Sequence, residues 1–214
     1  MKPRNDGFNI VLVGRWNPWI FSPDWVKANL AVNSHQDIKI GLSIDNADQP
    51  RAIQFDSLTL YPGYHRLEIR PVSSTLQNME EAQRVAEKIL TLLPHTPVSA
   101  TGINFDFVES EKADSVISLF QMADTSGIDA GKYFLQNIEI RRAYQLGQDF
   151  TLNLTLSWAD GARARINFNY HRNTREAGGA ASAFDVSACY EDSLRLAQNA
   201  YGLTIEEQTD DEHD

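Results

Sequence analysis

The sequence predicts an α+β protein in which two tandem β-α-β-β-β-α pseudo-repeats form a twisted antiparallel sheet with the helices on one face. Three observations support this class. Short segments that alternate apolar and polar residues, as half-buried strands do, recur along the whole chain. Longer segments with apolar residues three and four positions apart are typical of amphipathic helices. The order of these elements is the same in both halves of the 214-residue chain, which indicates an internal duplication.

The first pseudo-repeat covers residues 1–97. Its first strand, at 8–13, is apolar at nearly every position, as a central strand would be. Ser22 is a suitable N-cap for a helix over 23–31. Three further strands and a final helix are predicted at 37–45, 51–61, 65–71 and 78–94.

The second pseudo-repeat covers residues 98–204 and has the same element order. It begins with a strand at 102–108 and a helix that Ser110 would cap. Three strands and a closing helix are predicted at 133–144, 149–158, 162–170 and 190–203. The connection before this last helix contains an insertion, residues 171–187, that is rich in glycine and alanine. A loop of this length inside a compact domain is usually functional or disordered, and we expect it to be mobile.

Charge is segregated along the chain. The net charge is −10, but residues 206–214 alone carry six acids. We therefore predict that residues 205–214 form a disordered acidic tail. The stretch 141–175 instead contains six arginines and only two aspartates. This basic stretch indicates a binding surface more clearly than the net charge does.

Apolar alternation decides which face of the sheet the basic stretch occupies. A two-residue loop between the strands at 149–158 and 162–170 would pair Leu156 with Arg165 and place a charge in the apolar layer. A three-residue loop at 159–161 pairs Leu156 with Ala164 and leaves the charges on the opposite face. The residues that we predict to bind a partner on that polar face are Arg141, Arg163, Arg165, Asn153, Asn167 and Asn169.

Three of the four tryptophans lie within residues 14–25. Trp25 falls in the first helical turn and is predicted to be a core residue. Trp16 and Trp19 flank a turn signal at residues 17–18, so they either face a partner or hold the loop against the core. We include both as candidate binding residues.

Signatures of catalysis are scarce. The chain has no phosphate-binding glycine loop and no serine nucleophile motif. Its five histidines show no metal-ligand spacing and have no cysteine partners. We therefore predict no catalytic residues, no metal and no cofactor. Cys189 opens a helix, where a thiolate could be favoured, but a buried structural role is the interpretation that we prefer.

Composition also suggests a setting. A single cysteine cannot form an internal disulfide, which is typical of a reducing compartment. The chain has no apolar run of the roughly 20 residues that a membrane helix needs. We expect a cytoplasmic protein without membrane contact.

These observations favour a non-enzymatic binding or assembly protein that acts through the polar sheet face and the 171–187 loop. We expect a protein partner or self-association. One alternative is nucleic acid, because arginines and amides can contact phosphates and base edges, although no exposed aromatic stacking row is evident. The other is a hydrolase or transferase with the loop as a lid. A pocket that joins Asp106, Glu139 and an arginine would favour that enzyme.

Overall fold

The computed structural model describes residues 1–31, 38–41, 52–109, 118–120, 128, 132–133, 135–159, 163–174, 180 and 185–206. Within these residues it confirms the α+β class, with a ten-stranded antiparallel sheet and three helices. The strands are β1 (Lys2–Pro3), β2 (Asn9–Gly14), β3 (Lys39–Gly41), β4 (Ala52–Phe55), β5 (Leu58–Pro62), β6 (Arg66–Pro71), β7 (Val98–Val108), β8 (Asn137–Gln145), β9 (Phe150–Ala159) and β10 (Arg165–Asn173). The helices are α1 (Pro23–Asn29), α2 (Leu76–Leu92) and α3 (Val186–Tyr201), with 3-10 turns at Pro18–Ile20 and Ser118–Phe120.

The strands follow the order β3-β4-β5-β6-β2-β7-β10-β9-β8, and β1 also pairs with β7. The first strands of the two predicted repeats, β2 and β7, pair with each other at the centre. Outward from this centre the order is β6-β5-β4-β3 on one side and β10-β9-β8 on the other. On both sides the described strands follow in reverse chain order, but the first side has four strands beyond the centre and the second has three. The origin of the two halves by duplication stays a prediction, because unrelated segments can adopt the same order.

One face of the sheet is buried under α2 and α3, which pack on the central strands and on each other. Phe8 lies edge-on to Phe105 and Phe107, with ring centroids 5.1 and 5.5 Å apart. Alternate positions of the four central strands contribute further fully buried side chains to this face, among them Ile10, Leu12, Leu67, Ile69, Ile166 and Phe168. We call this side of the sheet the covered face.

Side-chain caps set where the helices begin. Ser22 caps α1 as predicted, and its Oγ accepts a hydrogen bond from the Trp25 amide at 3.2 Å. Thr75 caps α2, so this helix begins two residues before the predicted position. Asp185 caps α3 by accepting from the Ala188 amide at 3.0 Å, which also extends that helix toward its N-terminus. Gly202 ends α3 in the left-handed conformation, with a φ of 64°.

Two predicted strand arrangements are wrong in detail. Residues 51–61 do not form one bent strand, because a turn at residues 56–57 separates β4 from β5 and Asp56 has a φ of 45°. In the hairpin of β9 and β10, Leu156 pairs with Ile166, not with Ala164. The predicted faces are nevertheless right, because alternation determines only whether the register is odd or even. Residues 160–162 of the connection lie outside the described residues.

The boundaries of the 171–187 loop and of the acidic tail also differ from those predicted. β10 continues to Asn173 and α3 begins at Val186, so both ends of the predicted loop belong to regular elements. Most of the connection between them lies outside the described residues, as do residues 207–214, residues 42–45 and residues 110–117 of the helix predicted after Ser110. The last residues of that predicted helix, Ser118–Phe120, form a 3-10 turn. The first residues of the predicted tail are held in place, since the Glu206 amide donates to the Met1 carbonyl at 2.7 Å. None of the described helices has the length and apolar character needed to span a membrane.

Candidate functional site

The face of the sheet opposite the helices carries the polar side chains of the same strands, and we call it the open face. At its centre lies a depression with a volume of about 470 Å³. Residues of β2, β6, β7 and β10 line it, among them Gly102, Asn104 and Asp106 of β7 and Asn167 and Asn169 of β10. We refer to this depression as the central groove.

A row of four asparagines crosses the groove at right angles to the strands. Asn9, Asn104, Asn169 and Asn153 occupy neighbouring positions on β2, β7, β10 and β9. The Nδ2 of Asn153 donates to Oδ1 of Asn169 at 2.9 Å. Asn169 donates in the same way to Asn104 at 2.7 Å, and Asn104 donates to Asn9 at 2.8 Å. We call these four residues the amide row.

The amide row retains hydrogen-bonding capacity. With strands about 4.8 Å apart, it extends over about 14 Å. An amide side chain has two N–H donors and two oxygen lone pairs, and the inner residues Asn104 and Asn169 use one of each within the row. Each of them therefore keeps one donor and one lone pair for a partner. All four side chains are half-buried, so they line a surface that solvent still reaches.

Gly102 gives the groove depth beside the amide row. A Cβ at this position would lie 3.2 Å from Nδ2 of Asn169, a contact tighter than is normal. The neighbouring position on β10 is His171, and the neighbouring position on β2 is Val11. Since glycine contributes no side chain, the floor of the groove at this point is backbone.

A buried carboxylate lies at one end of the groove. The side chain of Asp106 is 3% exposed and pairs with two arginines. Its Oδ2 lies 2.6 Å from Nε of Arg4 and 2.5 Å from Nη2 of Arg165. The arginine side chains are 42% and 44% exposed. Asp106 therefore holds two half-exposed guanidinium groups beside the amide row, and the three groups together carry one net positive charge.

An irregularity at the start of the chain brings Arg4 to this position. β1 pairs Pro3 with Phe107, whereas β2 pairs Asn9 with Asn104. The N-terminal segment advances six residues between these two pairs while β7 advances only three, so the N-terminal segment contains three extra residues. The Arg4 amide also donates to the main-chain carbonyl of Asp106 at 2.9 Å. The Oγ of Ser74 donates to the Arg4 carbonyl at 2.9 Å, which fixes the irregular segment against the connection before α2. Arg4 is thus held to Asp106 through both main chain and side chain.

A second ion pair lies on β6, at the other side of the groove. Nη2 of Arg70 is 2.6 Å from Oε1 of the buried Glu68, and the guanidinium carbon lies 4.9 Å from the centre of the Tyr61 ring. Burial of Arg70 opposes its charged form. The hydrogen bond and charge of Glu68 outweigh that effect and raise the pKa of Arg70 above its usual value. Arg66, in the groove on the same strand, is exposed.

Two titratable groups on the covered face, Cys189 and Tyr170, are buried in surroundings that favour their protonated forms. Burial, helped by the charges of Asp185 and Asp192, raises the pKa of the Cys189 thiol to about 12. The thiol is therefore protonated at neutral pH and is a poor nucleophile. Burial also raises the pKa of Tyr170, whose hydroxyl donates to Asp192 at 3.0 Å and accepts from Ser193 at 3.1 Å.

The structure brings together only part of the predicted binding set. Arg165, Asn167 and Asn169 line the groove, and Asn153 belongs to the amide row. Arg141 lies on the open face of β8, two strands away from Arg165, where it pairs with Glu139 at 2.5 Å.

Arg163 is exposed and precedes β10. The predicted strand at 162–170 included Arg163, but β10 begins only at Arg165. Arg141 and Arg165 lie on β8 and β10 with β9 between them, so the three arginines are not on neighbouring strands.

The candidate tryptophans have different environments. Trp16 is buried against Phe21, and its Nε1 donates to the Leu12 carbonyl at 3.1 Å. It holds the loop on the core, so its side chain does not form a partner-facing surface. Trp19 is 66% exposed, and Trp25 packs edge-on against Phe21 with a centroid distance of 5.4 Å.

Sequence reasoning missed several residues of the groove. Asn9 and Asn104 alternate with buried residues, as Asn167 and Asn169 do, and that alternation is the signal that could have identified them. The interpretation of residues 8–13 as apolar on both faces obscured Asn9, since Val11 lies on the open face in the groove. No sequence signal places Arg4 beside Asp106, because the contact depends on the irregular register of β1.

Within the described part of the chain, no cluster of three or more His, Cys, Asp or Glu side chains could hold a metal ion. The carboxylates named for the enzyme alternative are apart, because Glu139 on β8 is three strands away from Asp106 on β7. Comparisons with protein families, curated proteins and solved structures gave no match to this chain.

Proposed function

We propose that this chain is a non-enzymatic binding protein whose central groove takes an extended acidic segment of a partner protein. The observation that carries the proposal is the pair of half-exposed arginines, Arg4 and Arg165, held by the buried Asp106. A buried ion pair is weak evidence for stability, since apolar side chains of similar size often serve as well. Arranging two guanidinium groups beside a row of amides is instead useful for recognising an anion.

The donors that remain on these arginines fit a carboxylate. Arg4 directs Nε at Asp106, and Arg165 directs Nε and Nη2 at it. A guanidinium group has five N–H donors, so both side chains keep donors for a second acceptor. Arg66 adds a further exposed cation at the groove. Planar guanidinium groups can hold a carboxylate with two parallel hydrogen bonds.

The amide row supports a polypeptide partner. The free N–H groups and oxygen lone pairs of Asn104 and Asn169 are complementary to the main-chain carbonyls and amides of an extended chain. Such contacts do not require a particular side chain, so specificity would come from the position of the partner's acidic residues. The expected contact is therefore an acidic, extended segment that lies in the groove.

Two features favour protein over nucleic acid. None of the groove-lining residues that the structure describes is Phe, Tyr or Trp, which are the usual platforms for stacked bases. The groove has three arginines against two carboxylates, Asp106 and Glu68, so its excess positive charge is small. A nucleic-acid site normally neutralises many phosphates in succession.

The proposal can be tested with labelled probes and fluorescence polarisation. The probes are a peptide of alternating Glu and Gly, a peptide of alternating Gln and Gly, and an oligothymidylate with the charge of the acidic peptide. We expect the wild type to bind the acidic peptide in preference to both others. Arg66→Glu should reduce that binding at least about tenfold, because it replaces an attractive charge with a repulsive one.

The matched control is Lys88→Glu, which makes the same charge change at an exposed position of α2. It should leave binding nearly unchanged, and circular dichroism of each variant checks that the fold is retained. Tighter binding of the oligothymidylate would favour the nucleic-acid alternative. Equal effects of Arg66→Glu and Lys88→Glu would show that the groove is not the binding site.

A further inference from the structure

The two ends of the sheet differ in how their edges are built. At one end, the described part of β3 is three residues long and includes Lys39. At the other end, β8 is nine residues long and pairs regularly with β9 from Asn137 to Gln145. No strand in the described part of the chain pairs with the other side of β8. A long regular edge of this kind is a template for another strand.

The side chains of β8 leave that edge accessible. Seven of its nine residues are exposed, and only Ile138 and Ile140 are half-buried. Of the common features that protect an edge from pairing, the strand has no proline, no lysine and no bulge, although Arg142 places a charge on the face of the buried Leu154. Arg142 donates to the hydroxyl of Tyr201 at 3.1 Å, which ties β8 to the end of α3.

We propose that the chain forms a symmetric dimer in which the outer edges of two β8 strands pair antiparallel about a two-fold axis at Ile140. In this register Glu139 of each copy lies opposite Arg141 of the other, and the two Ile140 side chains are neighbours. Opposite charges on directly opposed residues stabilise a strand pair, and like charges destabilise it. The sequence of β8 is therefore complementary to itself.

Neighbouring registers lack this match. An axis at Glu139 places the two Glu139 side chains opposite each other, and an axis at Arg141 does the same with the two Arg141 side chains. An axis at Arg142 places the two Arg142 side chains opposite each other. Charge complementarity therefore selects both the occupant, a second copy of this chain, and the register.

Pairing through an edge has a defined effect on the open face. The two-fold axis of an antiparallel strand pair is perpendicular to the sheet, so the sheets of the two copies would continue into each other. Both central grooves would then lie on the same side of the dimer. An interface of one strand pair is small, so we expect a concentration-dependent equilibrium between monomer and dimer.

The experiment uses charge reversal on the full chain, measured by sedimentation velocity over a range of concentrations. Glu139→Arg and Arg141→Glu should each weaken the dimer Kd at least about tenfold, since each replaces two attractive pairs with two repulsive ones. The existing pair within one strand is exposed and contributes little to folding, so both variants should fold. Glu191→Arg and Lys88→Glu, at exposed helical positions, are controls with the same charge changes.

Mixing the two variants provides the decisive measurement. In a mixed dimer, the arginine introduced at position 139 of one chain lies opposite the glutamate introduced at position 141 of the other. The native Arg141 of the first chain lies opposite the native Glu139 of the second, so both pairs are attractive. The mixture should therefore dimerise with about the wild-type Kd, although neither variant does so alone. A wild type that stays monomeric over the whole concentration range would overturn the proposal. A dimer that the reversals do not weaken, or that mixing does not restore, would place the interface elsewhere.

Discussion

Strands β7 and β10 present two faces that are stabilised in different ways. On the covered face, Phe105, Phe107 and Phe168 are fully buried and contact other apolar side chains. On the open face, Asn104 and Asn169 are joined by a directed hydrogen bond. Apolar packing accepts any neighbour of suitable size, whereas hydrogen bonds and ion pairs require particular partners at particular positions. Apolar packing on the covered face therefore favours formation of the sheet. The directed contacts on the open face favour one strand register over others that would also keep the apolar residues together.

The largest effect should come from a charge placed on the covered face. Leu156→Asp would put a carboxylate at a position that is 2% exposed in the apolar layer of the covered face. We expect a loss of about 4 kcal/mol or more in the free energy of unfolding, measured by urea denaturation. Thr155→Asp, the neighbouring position on the open face, is the control and should cost far less. Similar losses for the two variants would mean that both faces are covered.

The next effect should come from the buried acid of the open face. Asp106→Asn removes the charge that pairs with Arg4 and Arg165, and we expect a loss of about 2 kcal/mol. The loss is smaller than for Leu156→Asp because both arginines reach solvent. Asp149→Asn, at an exposed position, is the control and should be nearly neutral in the same urea titration. A neutral Asp106→Asn would show that the ion pairs contribute nothing to folding.

A smaller effect is expected within the amide row. Asn104→Ala removes the hydrogen bonds that Asn104 makes with Asn9 and with Asn169, and only the bond between Asn153 and Asn169 remains in the row. Because these side chains are half-buried, water can replace part of the loss, and we expect about 1 kcal/mol. Asn137→Ala, at an exposed position of β8, should cost less than half of that amount. Equal losses in the free energy of unfolding for the two variants would mean that the hydrogen bonds of the amide row do not stabilise the fold.

The smallest effect is a loss of stability at alkaline pH, which follows from the ionisation of two buried groups on the covered face. Folding raises the pKa of the Cys189 thiol to about 12. The unfolded thiol has a pKa of about 8.5. A raised acid pKa contributes stability that is complete below pH about 8.5 and is lost as the pH rises toward 12. Tyr170 contributes in the same direction above pH about 10.

The urea midpoint of the wild type should therefore decrease as the pH is raised from about 8.5 to about 10. In Cys189→Ala the midpoint should fall less over this interval, because the thiol is absent. Parallel curves for the two proteins would show that the thiol ionises as readily in the folded chain as in the unfolded one.

Much of the covered face follows from sequence. The alternation of Ile166, Phe168 and Tyr170 with polar residues predicts which side is buried, and all three are buried. The same alternation cannot choose between pairing Leu156 with Ala164 and pairing it with Ile166, since both keep apolar residues together. The observed register also places Asn153 opposite Asn169, where their amides form a hydrogen bond. Specific side-chain contacts of this kind are not visible in a hydrophobic pattern.

The open face was predictable only in part. Arg165, Asn167 and Asn169 could be assigned to it because each neighbours a buried residue in a regular strand. Arg4 could not, because three extra residues between two strand registers bring it to Asp106. Such an irregularity is set by the packing of the whole N-terminal segment, which local pattern does not encode.

The amide row has a direction, because every hydrogen bond in it runs from β9 toward β2. The side-chain dipoles are therefore aligned, and aligned hydrogen bonds polarise one another. The row ends with an amide N–H on Asn9 and a carbonyl oxygen on Asn153. A peptide lying along it would meet a positive pole at β2 and a negative pole at β9. Since a peptide also has a polarity of its own, its two possible orientations in the groove would differ in free energy, and one N-to-C direction would be preferred.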